Sequence, residues 1–271
     1  MEYVKDVLGY YIKNFVYLLI FAVIPATFLG LFIQPFGLYD FVYSYHDSTL
    51  ATFGDFFMAI FNPSWWSFLY VLVGGVLFVV SMSMMLGFIE NHFRVGKRSL
   101  QNSFRLNNNT LSVLKTTVIL GIAIFILDLL AALLMCFIHF LSANSGAGSV
   151  VCCILNYIIV LALMVLVGRG LSLFGFATVE SLLDGSPMRV GFSNAARAMS
   201  GKGWQLFMVE LITMGVCFIL MQIFSLIALP TVGNILSCIV FMPMVCINSM
   251  MLFFDANKLT RKDKLKYYQR K

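Results

Sequence analysis

The chain has 271 residues, of which 61% are hydrophobic and 11% charged, and its mean hydropathy is +0.92. Soluble domains carry about 25% charged residues, so this composition excludes a water-soluble globule and makes lipid the solvent. The formal net charge of +6 does not indicate nucleic acid, because the 18 Lys and Arg residues are confined to four patches. These are Lys5 and Lys13, Arg94 to Lys115, Arg169 to Lys202, and Lys258 to Lys271. Each intervening gap is long enough for a membrane hairpin, since one helix needs about 20 apolar residues. Lys and Arg stay on the cytoplasmic side of multispanning proteins. The expected fold is therefore an all-α integral membrane protein, with six transmembrane helices as three hairpins and both termini cytoplasmic.

In chain order, residues 2–13 place Val4, Val7, Leu8 and Tyr11 at helical spacing, which predicts a short amphipathic helix on the inner membrane face. The first span is expected from about Asn14 to Ile33, with a kink at Pro25. It is too long for a cleavable signal, and no small-residue cleavage site clearly follows it. The loop from Gln34 to Ser64 holds Asp40, His46, Asp47 and Asp55 without Lys or Arg, and is placed outside. Its second half, Thr49 to Asn62, puts Phe53, Phe56, Phe57, Ile60 and Phe61 on one helical face. With Trp65 and Trp66, that face reads as an interfacial aromatic belt or as a substrate-gathering vestibule.

The second span, Ser67 to Ile89, contains Gly74 and Gly75, where helices can approach closely. A basic linker, Glu90 to Ser112, carries Arg94, Lys97, Arg98 and Arg105. The third span runs from Leu114 to Leu141 and the fourth from Val150 to Val179. A second basic linker, Glu180 to Gly203, repeats the layout with Arg189, Arg197 and Lys202. Ser186-Pro187 should start a helix there and Gly201 to Gly203 should stop it. The fifth span, Trp204 to Leu229, and the sixth, Asn234 to Phe254, flank a turn from Pro230 to Gly233. The tail, Lys258 to Lys271, reads as a topology anchor attracted to anionic lipid.

Phe104 follows sixteen residues after Phe88, and Phe192 sixteen after Phe176. With the charge layout, this spacing suggests one membrane domain built of three repeats (1–89, 90–179, 180–254) and a basic tail (255–271). Each repeat would begin with a short amphipathic basic helix at the interface. The basic residues Arg94, Lys97, Arg98, Arg105, Arg189, Arg197 and Lys202 would then face lipid headgroups.

Charges inside the bilayer are the candidates for chemistry. Asp128, Arg169 and Glu210 lie about 21, 15 and 9 Å from the inner ends of their helices at 1.5 Å per residue. Each needs a partner or water, because facing lipid is costly. Arg169, between Gly168 and Gly170, is placed to neutralise Asp128 or Glu210. The trio reads either as a substrate site or as a structural ion pair. Gln222, Asn234 and Asn248 are weaker polar candidates. Cys136, Cys152, Cys153, Cys217, Cys238 and Cys246 lie in apolar runs and read as small buried hydrophobes. The topology separates His46, His92 and His139, so no metal site is expected. Nor does the sequence call for a cofactor or show a catalytic motif.

The span ends Leu86-Gly87-Phe88 and Phe174-Gly175-Phe176, with linkers ending at Phe104 and Phe192, resemble a loose group of uncharacterised bacterial six-helix membrane proteins. That group includes the membrane domain fused to some glycerophosphodiester phosphodiesterases. The resemblance implies a bacterial plasma membrane and an all-helical fold, but no phosphodiesterase activity, because that soluble domain is missing here. The expected role is transport or lipid handling. The alternative is a non-catalytic accessory subunit that docks a membrane or cytoplasmic protein partner.

Overall fold

The computed structural model describes residues 2–32, 65–100, 109–145, 149–227 and 229–264. Among these residues the chain is helical and has no strand. The helices are α1 (Glu2–Phe32), α2 (Trp65–Val95), α3 (Asn109–Ser145), α4 (Ser149–Leu183), α5 (Met188–Ser200), α6 (Gly203–Leu226) and α7 (Pro230–Ala256). All but α5 are long and apolar enough to cross a membrane, which makes this a multi-pass membrane protein. The loop with Asp40, His46, Asp47, Asp55 and the Thr49 to Asn62 stretch falls beyond the described residues, as do Phe104 and Arg105.

One apolar core joins all seven helices. It gathers Tyr3, Val7 and Tyr10 of α1, Phe88 and Phe93 of α2, and Val113 of α3. Phe176 of α4, Ala195 of α5, Leu206 of α6 and Phe254 of α7 complete it. These residues sit near the start of α1 and the end of α7, so that end of the bundle, here the proximal end, is the best packed. The central helix is α7, which packs against α1, α2, α4 and α6, whereas α3 rests on α2 and α4. Lipid is as apolar as a leucine side chain, so helices associate through close packing and hydrogen bonds. Gly30 shows how tight this is: a Cβ there would lie 2.7 Å from the Ile235 backbone.

The structure changes the expected boundaries in several places. Residues 2–13 are no separate surface helix but the first turns of the 31-residue α1. Val4 and Val7 of the expected surface face are buried, as are Tyr3 and Tyr10, because α7 and α2 pack against this part of α1. Pro25, Gly168 to Gly170 and Pro243 all lie inside continuous helices. The turn expected at Pro230 to Gly233 is the first turn of α7, with Pro at a position where its missing N–H costs nothing.

In the second linker α5 does form. Gly191, Ala195 and Met199 face the bundle, while Arg189 and Arg197 are exposed. Asn194 donates a hydrogen bond to Oε1 of buried Glu180 on α4, and Phe192 meets Phe174 edge-on at 4.9 Å.

The helix α7 ends in a reciprocal C-terminal motif. Leu259 N–H reaches the Phe254 carbonyl at 2.8 Å and Lys258 N–H the Asp255 carbonyl at 3.3 Å, with Lys258 at φ 53°. This left-handed turn sends the chain back under the bundle. There Arg261 donates to both carboxylate oxygens of Asp263, at 2.7 and 3.2 Å. The pair is buried, with side-chain exposures of 9% and 8%. The Arg261 guanidinium stacks 4.1 Å from the Phe93 ring centroid, beside Tyr10, whose hydroxyl pairs with His92 Nδ1 at 2.9 Å. Expected to hold lipid, Arg261 instead holds the tail to α2. Residues 265–271 lie outside the described residues.

Candidate functional site

The polar centre of the molecule is built where α4, α6 and α7 meet in the proximal half. On α4, Gly168, Ser172 and Gly175 are spaced at i, i+4 and i+7, which puts them on one face. Because these residues are small, neighbouring helices come close. A Cβ on Gly168 would lie 3.0 Å from Glu210 Oε2, and one on Gly175 would overlap Ser249 Oγ.

Into this space α6 brings Glu210 and α7 brings Asn248. Ser172 donates its hydroxyl proton to Glu210 Oε1. Asn248 Nδ2 in turn donates to Ser172 Oγ at 3.4 Å. The Tyr3 hydroxyl of α1 closes the chain, reaching the side-chain oxygen of Asn248 at 2.8 Å and its carbonyl at 3.1 Å. A hydrogen-bonded path thus crosses four helices. Lys202, 2.6 Å from Asp255, sits over the Tyr3 ring at 5.4 Å and roofs its proximal end.

Glu210 Oε2, the other carboxylate oxygen, is buried without a hydrogen-bond partner. It borders a cavity of about 20 Å³ whose polar lining is Ser172, Glu210, Thr213, Asn248 and Ser249. Phe241, Met244 and Val209 supply much of the apolar wall. A void of this size holds a single water-sized occupant.

The three intramembrane charges separate into different situations. Glu210 is in the site. Arg169 is half-buried on α4 and near enough for its charge to be felt at Glu210. The two form no ion pair within the described residues. One residue is 100° around a helix, so once Gly168 faces Glu210, Arg169 is turned aside. Asp128 falls on α3, with a side chain outside the described residues.

Of the basic residues expected at the lipid surface, Arg94, Lys97, Arg98, Arg189 and Arg197 are exposed. Arg94 bridges to Glu90 at 3.0 Å on its own helix, Arg98 lies 5.7 Å over the Tyr17 ring, and Lys202 is committed to Asp255. Among the described residues, no cluster of His, Cys, Asp and Glu could hold a metal. Cys136, Cys217, Cys238 and Cys246 are free thiols. Cys217 and Ser237 exchange hydrogen bonds between α6 and α7, the serine donating at 3.0 Å and the thiol at 3.4 Å.

Ser172 and Tyr3 were not singled out by the sequence. The small-residue spacing of Gly168, Ser172 and Gly175 was the signal available for Ser172. Tyr3 gave none, since its partner is 245 positions away. In comparisons with known proteins, no family model, curated protein or solved structure matches the chain.

Proposed function

We propose that the chain is a transport protein of the bacterial plasma membrane, with Glu210 at the centre of its site. The observation that carries this reading is the unpartnered Glu210 oxygen at a small cavity between three spans. A buried carboxylate oxygen without a donor is costly, and ionisable groups inside membrane spans commonly mark a substrate or ion path. Six spans as three hairpins with cytoplasmic termini fit the basic patches, all of which border the proximal ends of helices. On this orientation the site lies in the cytoplasmic half of the bundle. The exposed face of α5, with Arg189 and Arg197, then lies against anionic headgroups.

The alternative is an accessory subunit in which the same groups lock the bundle. The continuous path from Tyr3 to Glu210 favours it, since four helices are tied by one chain of hydrogen bonds. A thermal-shift screen of purified protein in nanodiscs separates the two readings, using small cations, small anions and anionic lipids as probes. A probe that stabilises wild type but not a folded Glu210→Gln variant supports transport. If no probe shifts wild type and the variant fails to fold, the cluster is structural.

A further inference from the structure

We infer that Glu210 binds a proton, and that the site between α4, α6 and α7 works by taking it up and releasing it. This rests on the reading of Glu210 as the centre of a ligand site and names the ligand.

The two oxygens of the carboxyl are treated differently. Oε1 accepts the Ser172 hydroxyl proton. Oε2 is buried and no hydrogen bond reaches it. The wall around it is mostly apolar, built from Leu171, Val209, Met214, Phe241 and Met244. An ionised carboxylate left unpaired in such surroundings costs far more than a neutral hydroxyl, so the group takes up a proton instead. No ion pair relieves Glu210 among the described residues. Because Ser172 already occupies Oε1, the proton belongs on Oε2. The cavity is partly open, not sealed, so the proton has a way out that leaves the bundle intact.

Release also requires a carboxylate that the protein can tolerate, and the surroundings supply one. The hydrogen bonds all run one way: Tyr3 donates to Asn248, Asn248 to Ser172, and Ser172 to Glu210. Each donor turns its positive end toward Glu210, which favours the charged form. Arg169 on α4 adds a positive field from the side. From α1 the titratable group is Tyr3, three hydrogen bonds away. From α7 come Asn248 and Ser249, which do not titrate. The Lys202–Asp255 pair is closed on itself at the proximal end, and α5 leaves Arg189 and Arg197 exposed. An apolar wall that favours the acid thus opposes a donor chain and one cation that favour the carboxylate.

The test is infrared spectroscopy of the full chain in nanodiscs, taken as wild type minus Glu210→Gln across a pH titration. Glutamine has the shape of the neutral acid, so this variant should fold. The expected difference is a protonated-carboxyl C=O band at neutral pH that bleaches as the solution is made alkaline. Ser172→Ala removes a donor and Arg169→Gln removes a cation. Each should therefore tighten proton binding by about tenfold, moving the midpoint up by about one pH unit. If Glu210→Gln does not fold, the displaced midpoint in Ser172→Ala assigns the band instead. Absence of the band at neutral and mildly acidic pH overturns the inference, as does a midpoint that neither variant moves. If Glu210 is ionised throughout while another probe stabilises wild type but not Glu210→Gln, the proton is wrong and the transport reading stands.

Discussion

Gly30 offers the sharpest test of how the bundle is held together. An alanine methyl there would sit 2.7 Å from both Cα and N of Ile235, well inside ordinary contact. Its obstacle is backbone, which cannot rotate away, so α1 and α7 must separate locally. Overpacking of this kind costs about 1–3 kcal/mol, and backbone against backbone belongs at the upper end. Gly75 on α2 is the control, because a Cβ there meets nothing within 4 Å. Alanine is favoured over glycine in a helix by up to about 1 kcal/mol. Both sites are helical, so this gain is common to the two variants and they should differ by the overpacking cost of about 1–3 kcal/mol, with Gly75→Ala stabilised by up to about 1 kcal/mol. Equilibrium unfolding in mixed micelles with rising SDS measures both. Equal stability for Gly30→Ala and Gly75→Ala would refute the claim that close α1–α7 contact holds the protein together.

Other substitutions probe other parts of the molecule. Removing the Asn248 side chain takes the donor from Ser172 and leaves the Tyr3 hydroxyl only the backbone carbonyl of that position, so Asn248→Ala should lose about 1–3 kcal/mol in the same unfolding titration, whereas Tyr3→Phe should lose about 1 kcal/mol. At the docked tail, Arg261→Ala takes the guanidinium away from the buried Asp263 carboxylate, and breaking a buried ion pair costs about 3–5 kcal/mol when the charge cannot escape. Release of the tail is the available escape, so trypsin should cut at Lys258 and Lys262 faster than in wild type, and the double variant Arg261→Ala/Asp263→Ala should be less destabilised than the sum of the two. Lys258 occupies the left-handed position of a helix-ending motif, where a side chain costs about 1–2 kcal/mol. Lys258→Gly should therefore raise the unfolding midpoint.

The spans were legible because their signal is coarse: gaps free of Lys and Arg, each wide enough for two helices. What the sequence hid was which side of each helix meets protein. Tyr3, Val7 and Tyr10 fall on the same face in an interfacial helix and in the packed start of a long one. Only the arrival of α7, more than two hundred residues later in the chain, distinguishes the two. Arg169 misled for a related reason. Depth places it near Glu210, but Gly168 needs the face toward α6, and the adjacent Arg169 is turned away. The Arg261–Asp263 pair was hidden because a basic run reads as a solvated or lipid-bound tail. The ring of Phe93 that receives it is set by tertiary packing. Glu210 was found because a carboxylate within an apolar run stands out. Ser172, its partner, did not stand out, since serine is common at helix contacts.

The most direct measurement is the aqueous accessibility of the cavity in sealed membrane vesicles. In a cysteine-free background, Thr213→Cys lines the cavity, while Leu206→Cys, on the same helix, lies in the buried core. A small charged methanethiosulfonate reagent added to the solution should modify Thr213→Cys over minutes and leave Leu206→Cys untouched. If Thr213→Cys is modified no faster than Leu206→Cys under any condition, the cavity never opens to water. The polar cluster is then a lock between helices, and transport through it is contradicted.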